Sequence, residues 1–226
     1  MSVMRRFAAL AAIAGIVGLS GCGNQPDANI FAKSLFKGVK SKASQAGPVS
    51  PEQTLAGVQS TLASTDKPVL LAFLEKRKVT AALVNIEVNG PYRTWGSGDR
   101  RTITTRAGVV TATRGLGSDV MSSEVGGILP LITGRKPGRG VHVIRFLDGE
   151  NHTVTVTAEC EITRGGLHKL SAGTLGNVTT TEMTETCTAS ERSFANRYLV
   201  DGRGRVIQSR QWLGEAIGSV AFQTLR

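Results

Sequence analysis

From Val79 onward the chain is built from short stretches in which apolar and polar residues alternate, rich in threonine and β-branched side chains, with turn-forming pairs between them. A period of two puts one set of side chains on each face of a strand, so such stretches form half-buried sheet rather than helix. The pairs Asn89-Gly90, Asp148-Gly149 and Asp201-Gly202 favour the tight hairpin turns that join antiparallel neighbours, and Ala107-Gly108 serves the same purpose. The pattern predicts strands near 82–88, 92–96, 102–106, 109–114, 141–147, 152–163, 179–188, 196–200, 205–212 and 220–225. A sheet of that length with local turns curls, because a flat open one leaves edges unpaired. The expected fold is therefore mainly β, a single curved antiparallel meander, barrel-like or half-barrel. The segment 115–140 is the longest break in the pattern, and breaks of that size are often functional.

In front of the sheet, Ser50-Pro51-Glu52-Gln53 reads as a capping box before Leu55, Val58 and Leu62, and predicts a helix from Pro51 to about Ala63. The stretch 68–78 reads either as a second short helix or as the approach to the first strand. Between residues 23 and 47 the chain is small, polar and lysine-dotted, as a tether would be. Ile30, Phe31, Leu35, Phe36 and Val39 can make one face of a short helix within it.

The start of the chain resembles a bacterial lipoprotein signal. Arg5 and Arg6 precede the apolar run Phe7 to Leu19, which ends in Leu19-Ser20-Gly21-Cys22. The run is shorter than the roughly 20 apolar residues that span a bilayer. The resemblance implies cleavage before Cys22 and acylation there with palmitate-type chains. Gly23 follows where a retention aspartate would hold the product in the inner membrane. The expected destination is the outer membrane, lipid-anchored and facing the periplasm. The chain thus divides into a signal peptide (1–21), a lipidated tether (22–48) and one β-rich periplasmic domain with its N-terminal helix (49–226).

The formal charge is +10, and loss of Arg5 and Arg6 leaves 25 basic against 17 acidic residues, or +8. Such a balance attracts acidic polysaccharide, anionic lipid or an acidic protein face, or merely keeps the protein soluble. Nucleic acid is not an expected partner of an exported chain. A denser basic loop runs from Gly134 to Gly140.

Cys160 lies on the inward phase of a strand (Val154, Val156, Ala158, Cys160, Ile162), and Cys187 follows a second strand-like run. The glycine-rich segment 165–177 between them can reverse the chain. Antiparallel pairing would place the two sulfurs within bonding reach in an oxidising compartment, so a structural disulfide is expected, with two buried thiols as the alternative.

Catalytic motifs are scarce. The sequence contains no His-Glu-x-x-His, no Gly-x-Ser-x-Gly and no phosphate-binding glycine loop. His142 and His152 flank the Asp148-Gly149 turn and could face one another across a hairpin as an adventitious metal pair. Asp99, Asp119 and Asp148 would form a glycosidase pair only if folding brought two together. The expectation is a protein with neither enzymatic activity nor a cofactor.

Two segments carry a family resemblance. The first is Thr94-Trp95-Gly96-Ser97 with Asp99, continuing through Ala107-Gly108 to Thr113-Arg114-Gly115-Leu116-Gly117 and Asp119-Val120-Met121. The second is Asn196-Arg197-Tyr198, Asp201-Gly202 and Ser209-Arg210-Gln211-Trp212-Leu213-Gly214. Behind a lipobox, this order resembles the YjbF/GfcB lipoproteins of group 4 capsule and exopolysaccharide export. A departure is Glu215, where the family favours proline. The resemblance implies an outer-membrane lipoprotein that works beside an outer-membrane barrel and a soluble periplasmic partner, without catalysis.

From the residues themselves, Trp95, Asp99, Arg114, Asp119, Arg210 and Trp212 are the candidate glycan or partner surface. Each tryptophan lies near ions in the sequence and can present a ring to a sugar, although core packing is the favoured reading for both. Arg114 either binds an acidic group or locks its loop by pairing with Asp119. Two rival functions remain at this level: a periplasmic polysaccharide-modifying hydrolase, and a lipid or lipoprotein carrier with an apolar cavity inside its sheet.

Overall fold

The computed structural model describes residues 51–226 except 148, 149 and 151. Cys22, the tether with its proposed helical face, Ser50 of the capping box and the Asp148-Gly149 turn lie outside the described residues. Helix α1 spans Pro51–Ser64, one residue longer than the capping signal predicts. Twelve strands follow: β1 (Val69–Leu74), β2 (Val79–Asn89), β3 (Tyr92–Gly96), β4 (Thr102–Arg106), β5 (Val109–Arg114), β6 (Val120–Glu124), β7 (Gly138–Leu147), β8 (Thr153–Ser171), β9 (Asn177–Thr188), β10 (Ser193–Asp201), β11 (Val206–Trp212) and β12 (Ser219–Thr224). A short helix, α2 (Leu129–Gly134), sits between β6 and β7.

All twelve strands form one antiparallel sheet in the order β5-β4-β3-β2-β1-β12-β11-β10-β9-β8-β7-β6. Its two outer strands, β5 and β6, lie beside each other, so the sheet is a nearly closed barrel. The ten expected strands are present. Inside the barrel the inward phases meet in one core that includes Leu70, Leu74, Trp95, Phe146, Ile162, Met183, Tyr198 and Phe222.

Two strands lie where the sequence pattern predicts none with certainty. The stretch 68–78 holds β1, not a second helix, and β1 is buried along its whole length. One of its faces lines the barrel. The other, with Val69, Leu71 and Phe73, packs under Val58 and Leu62 of α1. A strand covered on both faces loses alternation and reads as a plain apolar run, which periodicity cannot tell from a helix. The break at 115–140 holds β6, only five residues long and bulged between Val120 and Ser122. The basic loop is also shorter than expected: Gly138–Gly140 already belongs to β7, and the Arg135 guanidinium donates to the main-chain oxygen of Asp201 at 2.5 Å.

The turns show which residues the hairpins need. Ala107 (φ 47°) and Gly108 (φ 88°) form the two-residue turn between β4 and β5 as expected. A side chain at Gly108 would also collide with Val206, since its Cβ would lie 2.6 Å from that of the valine. The β2–β3 turn is Gly90-Pro91, one position later than the Asn89-Gly90 pair predicts, with Gly90 at φ 54°. Asp201 ends β10 and its carboxylate accepts the N–H groups of Arg203 and Arg205, both at 2.9 Å, while Gly204 takes the left-handed angle. The reversal between β8 and β9 is confined to 172–176, because β8 runs on to Ser171.

Candidate functional site

The second resembling segment, through Asn196, Tyr198 and Trp212, gathers inside the barrel around Glu185. Strand β9 alternates, and its inward phase carries Met183, Glu185 and Cys187, so the carboxylate is fully buried. One oxygen, Oε2, accepts the Asn196 amide and the Tyr198 hydroxyl, each at 2.8 Å. The other, Oε1, lies 2.8 Å from Nδ1 of His142, whose Nε2 lies 2.7 Å from Oγ of Ser123. Asn196 extends the network by accepting the main-chain N–H of Trp212 at 2.7 Å. A buried carboxylate without donors costs several kcal/mol, and these partners offset that cost. Burial, with Glu185 alongside, pushes the Tyr198 phenol well above its ordinary value, so Tyr198 stays a neutral donor.

Serine, histidine and glutamate in this order match the contacts of a nucleophile, its base and the group that orients the base. The space beside Ser123 is about 10 Å³, room for at most one water. The donor atoms of His142, Cys160, Glu185 and Cys187 lie within 4.8 Å of one another, a set suited to zinc if the cysteines were thiolates. Cys160 and Cys187 stand directly opposite on β8 and β9 and are joined as a disulfide, so their thiolates are not on offer. The disulfide expected from the sequence is thereby present. His142 pairs with Ala158 and not with His152, because the hairpin register aligns Leu147 with Thr153. A His142–His152 metal pair is corrected on that ground.

Five of the six residues nominated as a surface divide between core and loops: the two tryptophans turn inward, while Arg114 and Asp119 flank the β5–β6 connection, which lies against the β3–β4 loop of Asp99, a Cβ on Gly115 falling 3.3 Å from Arg101. Trp95 is buried, and its Nε1 donates to Thr105 Oγ1 at 2.9 Å. Trp212 is half-buried and stacks on Phe194 with centroids 4.7 Å apart, with Phe146 edge-on at 5.7 Å. Both tryptophans therefore pack in the core. Arg210 makes a two-pronged bond to Glu75, both contacts at 2.8 Å. Asp99 is exposed in the β3–β4 loop. Its carboxyl is held below the usual range by the Ser97 hydroxyl, with Arg101 at 3.1 Å adding to the effect.

Asp119 holds the β5–β6 connection shut. It accepts Gly115 N–H (2.8 Å), Leu116 N–H (3.0 Å) and the Thr113 hydroxyl (2.8 Å). Arg114 locks the same loop by a different route from the expected pairing with Asp119, donating to the carbonyls of Thr113 (2.6 Å) and Val120 (3.1 Å).

At the end of the barrel that carries the β2–β3, β4–β5 and β10–β11 turns, a half-open cavity of about 480 Å³ leads inward. Leu70, Trp95, Val206 and Phe222 form its walls, and Arg93, Arg205 and Arg226 line it as well. The residues picked from the sequence include Trp95 of the cavity and His142, Asn196, Tyr198 and Trp212 of the network, but the sequence reading assembled neither site and passed over Glu185. The signal for the network was legible: Glu185 and His142 sit on the inward phases of their strands, where an ionisable side chain needs a partner.

Comparison with known proteins agrees with this architecture. The crystal structure of the hypothetical lipoprotein YmcC from Escherichia coli (K12) is similar with a TM-score of 0.66 and 21% identity, covering 81% of this chain and 98% of that one. None of the curated proteins matches. Among the described residues no helix is long and apolar enough to cross a membrane, which says nothing of strands. The family model for the group 4 capsule polysaccharide lipoprotein GfcB, YjbF, matches residues 33–225, a span that includes both resembling segments, the Glu185 network and the whole barrel. On that match, the chain belongs to the YjbF family of capsule polysaccharide lipoproteins.

Proposed function

We propose that the mature protein is held by acyl chains on Cys22 at the periplasmic face of the outer membrane and serves capsule or exopolysaccharide export there as a non-enzymatic scaffold or gate. The observation that carries this reading is the family match, which begins at residue 33, shortly after the lipobox cysteine, and runs to residue 225. A nearly closed barrel with a hydrogen-bonded network inside it suits a part that positions others. In this reading it stands beside an outer-membrane barrel and a soluble periplasmic partner, and its excess of arginine and lysine guides acidic glycan by long-range attraction. Replacing Cys22 with serine should abolish labelling by a palmitate analogue, release the protein from the membrane fraction and lower surface polysaccharide. An unmodified Cys22 sulfur in the native product, with the leader still attached, overturns the proposal.

A hydrolase acting on polysaccharide esters has one observation in its favour, the Ser123–His142–Glu185 geometry. The 10 Å³ beside Ser123 weighs against it, because an acyl group cannot enter without the barrel opening. Turnover of purified exopolysaccharide that disappears in Ser123→Ala would establish it over the scaffold.

A further inference from the structure

The cavity at the barrel mouth has the size and chemistry of a ligand site that neither the scaffold role nor the Glu185 network uses. Its volume of about 480 Å³ falls in the roughly 300–1,000 Å³ range of small-molecule sites, which occur in the mouths of β-barrels among other places. At roughly 30 Å³ per heavy atom, the share one water takes in its liquid, it accommodates about 16 heavy atoms, the bulk of one fatty-acyl chain and not of two. The walls are side chains of the inward phases of β1, β3, β11 and β12: Leu70, Trp95, Val206 and Phe222.

Most of the uncharged polar side chains that line the cavity are already engaged, Thr105, Ser209 and Thr224 among them, and the Gln208 amide is the exception. Thr105 Oγ1 receives the Trp95 indole N–H, and Ser209 Oγ receives the Gln211 amide. A sugar ring seated there would leave hydroxyl groups without partners, at about 1–3 kcal/mol each, whereas a hydrocarbon chain needs none. Charge at the opening selects the head group. Among the described residues that line the cavity, three are arginines and none carries a carboxylate side chain. Two of the three are fixed in place: Arg205 by Asp201 at 2.8 Å, and Arg226 by the carbonyls of Leu62 (3.0 Å) and Thr65 at the end of α1. Arg93 is exposed on β3, next to the exposed apolar side chains of Val88 and Tyr92 on the same hairpin.

From these features we propose that the barrel mouth binds a single acyl chain of an anionic amphiphile, its tail between Leu70, Trp95 and Phe222 and its head group at Arg93. Binding of this kind is independent of the export role, so either can fail alone.

The two tryptophans make a direct test, because Trp95 lines the cavity and Trp212 packs against Phe194 elsewhere in the core. The full-length protein, kept soluble in amphipol, is titrated with a brominated long-chain fatty acid, which quenches indole fluorescence on contact. The wild type should lose emission saturably at one fatty acid per chain, and Trp95→Phe should not. Arg93→Glu, an exposed change, should weaken binding about tenfold, the loss of one charge-assisted bond. Quenching that appears only in Cys22→Ser assigns the occupant to the protein's own anchor, which has no anionic head group, and overturns the proposal of an anionic amphiphile. Absence of quenching in both proteins, equal quenching of wild type and Trp95→Phe, or protection of Trp95 by an acidic oligosaccharide but not by the fatty acid overturns the proposal.

Discussion

Nδ1 of His142 on β7 lies 2.8 Å from a carboxylate oxygen of Glu185 on β9, and solvent reaches neither side chain to any extent. The pair ties two strands separated by β8, and Asn196 and Tyr198 on β10 complete the carboxylate's partners.

Glu185→Ala removes the acceptor shared by three buried donors. The loss should be about 3–5 kcal/mol, the usual cost of leaving buried polar partners unpaired, and Glu185→Gln should cost less, about 1–2 kcal/mol, because one oxygen is kept. Urea unfolding of the two variants measures this as a fall in the midpoint with the slope unchanged.

Reduction of the Cys160–Cys187 bridge should be felt in the unfolded chain. The bond closes a loop with a sequence separation of 27, for which the chain-entropy model gives about 3.5 kcal/mol. Cys160→Ser combined with Cys187→Ser should lower the unfolding free energy by that amount, and a reducing agent should destabilise the wild type equally while leaving the double variant unmoved.

Acid should weaken the barrel through Glu182. The Arg197 guanidinium at 2.6 Å, and secondarily His168 at 2.7 Å, hold its carboxyl below the ordinary 4.5 despite partial burial. A carboxyl with a depressed folded value stabilises the protein above the unfolded value, and that contribution disappears as pH falls through the folded one. The wild type should therefore be more stable than Glu182→Gln above about pH 4.5, and the two curves should converge below it. Calorimetric midpoints measured from neutral to acidic pH check the sign; curves that diverge toward acid would contradict it.

Asp119→Ala should loosen the junction of β5 and β6. It strips partners from Gly115 N–H, Leu116 N–H and the Thr113 hydroxyl, at about 1–3 kcal/mol in total if water replaces part of what is lost. Amide exchange should quicken in β5 and β6 first and leave β1 and β12 protected.

How much of this could be read from the residues depended on how each was buried. Cys160 and Cys187 could be placed because their strands alternate cleanly, polar outside and apolar inside. Strand β1 was ambiguous because Val69, Leu71 and Phe73 are buried under α1 while Leu70, Ala72 and Leu74 face the core, so no polar phase remains to mark the period. Trp95 and Trp212 were legible as core side chains, but not that one of them borders a void. A cavity is set by which side chains from β1, β3, β11 and β12 fail to fill the space across a nearly closed sheet, and no local window of sequence contains that information. Asp119 was picked out as a partner for Arg114 in its loop, yet it holds two main-chain N–H groups and the Thr113 hydroxyl, which no pairing of side-chain charges would suggest.

Near the centre of the sheet β1 pairs with β12, the first strand with the last, with Leu70 opposite Thr224 and Leu74 opposite Val220. A polypeptide made in N-to-C order must wait for nearly all of itself before these two ribbons can zip together. Until then Leu70 and Phe222 are open to any passing hydrophobic surface. Assembly of this kind is slow and vulnerable to aggregation, so the molecule would depend on chaperones early in its life, and a product cut short before Ser219 would have no middle around which to form.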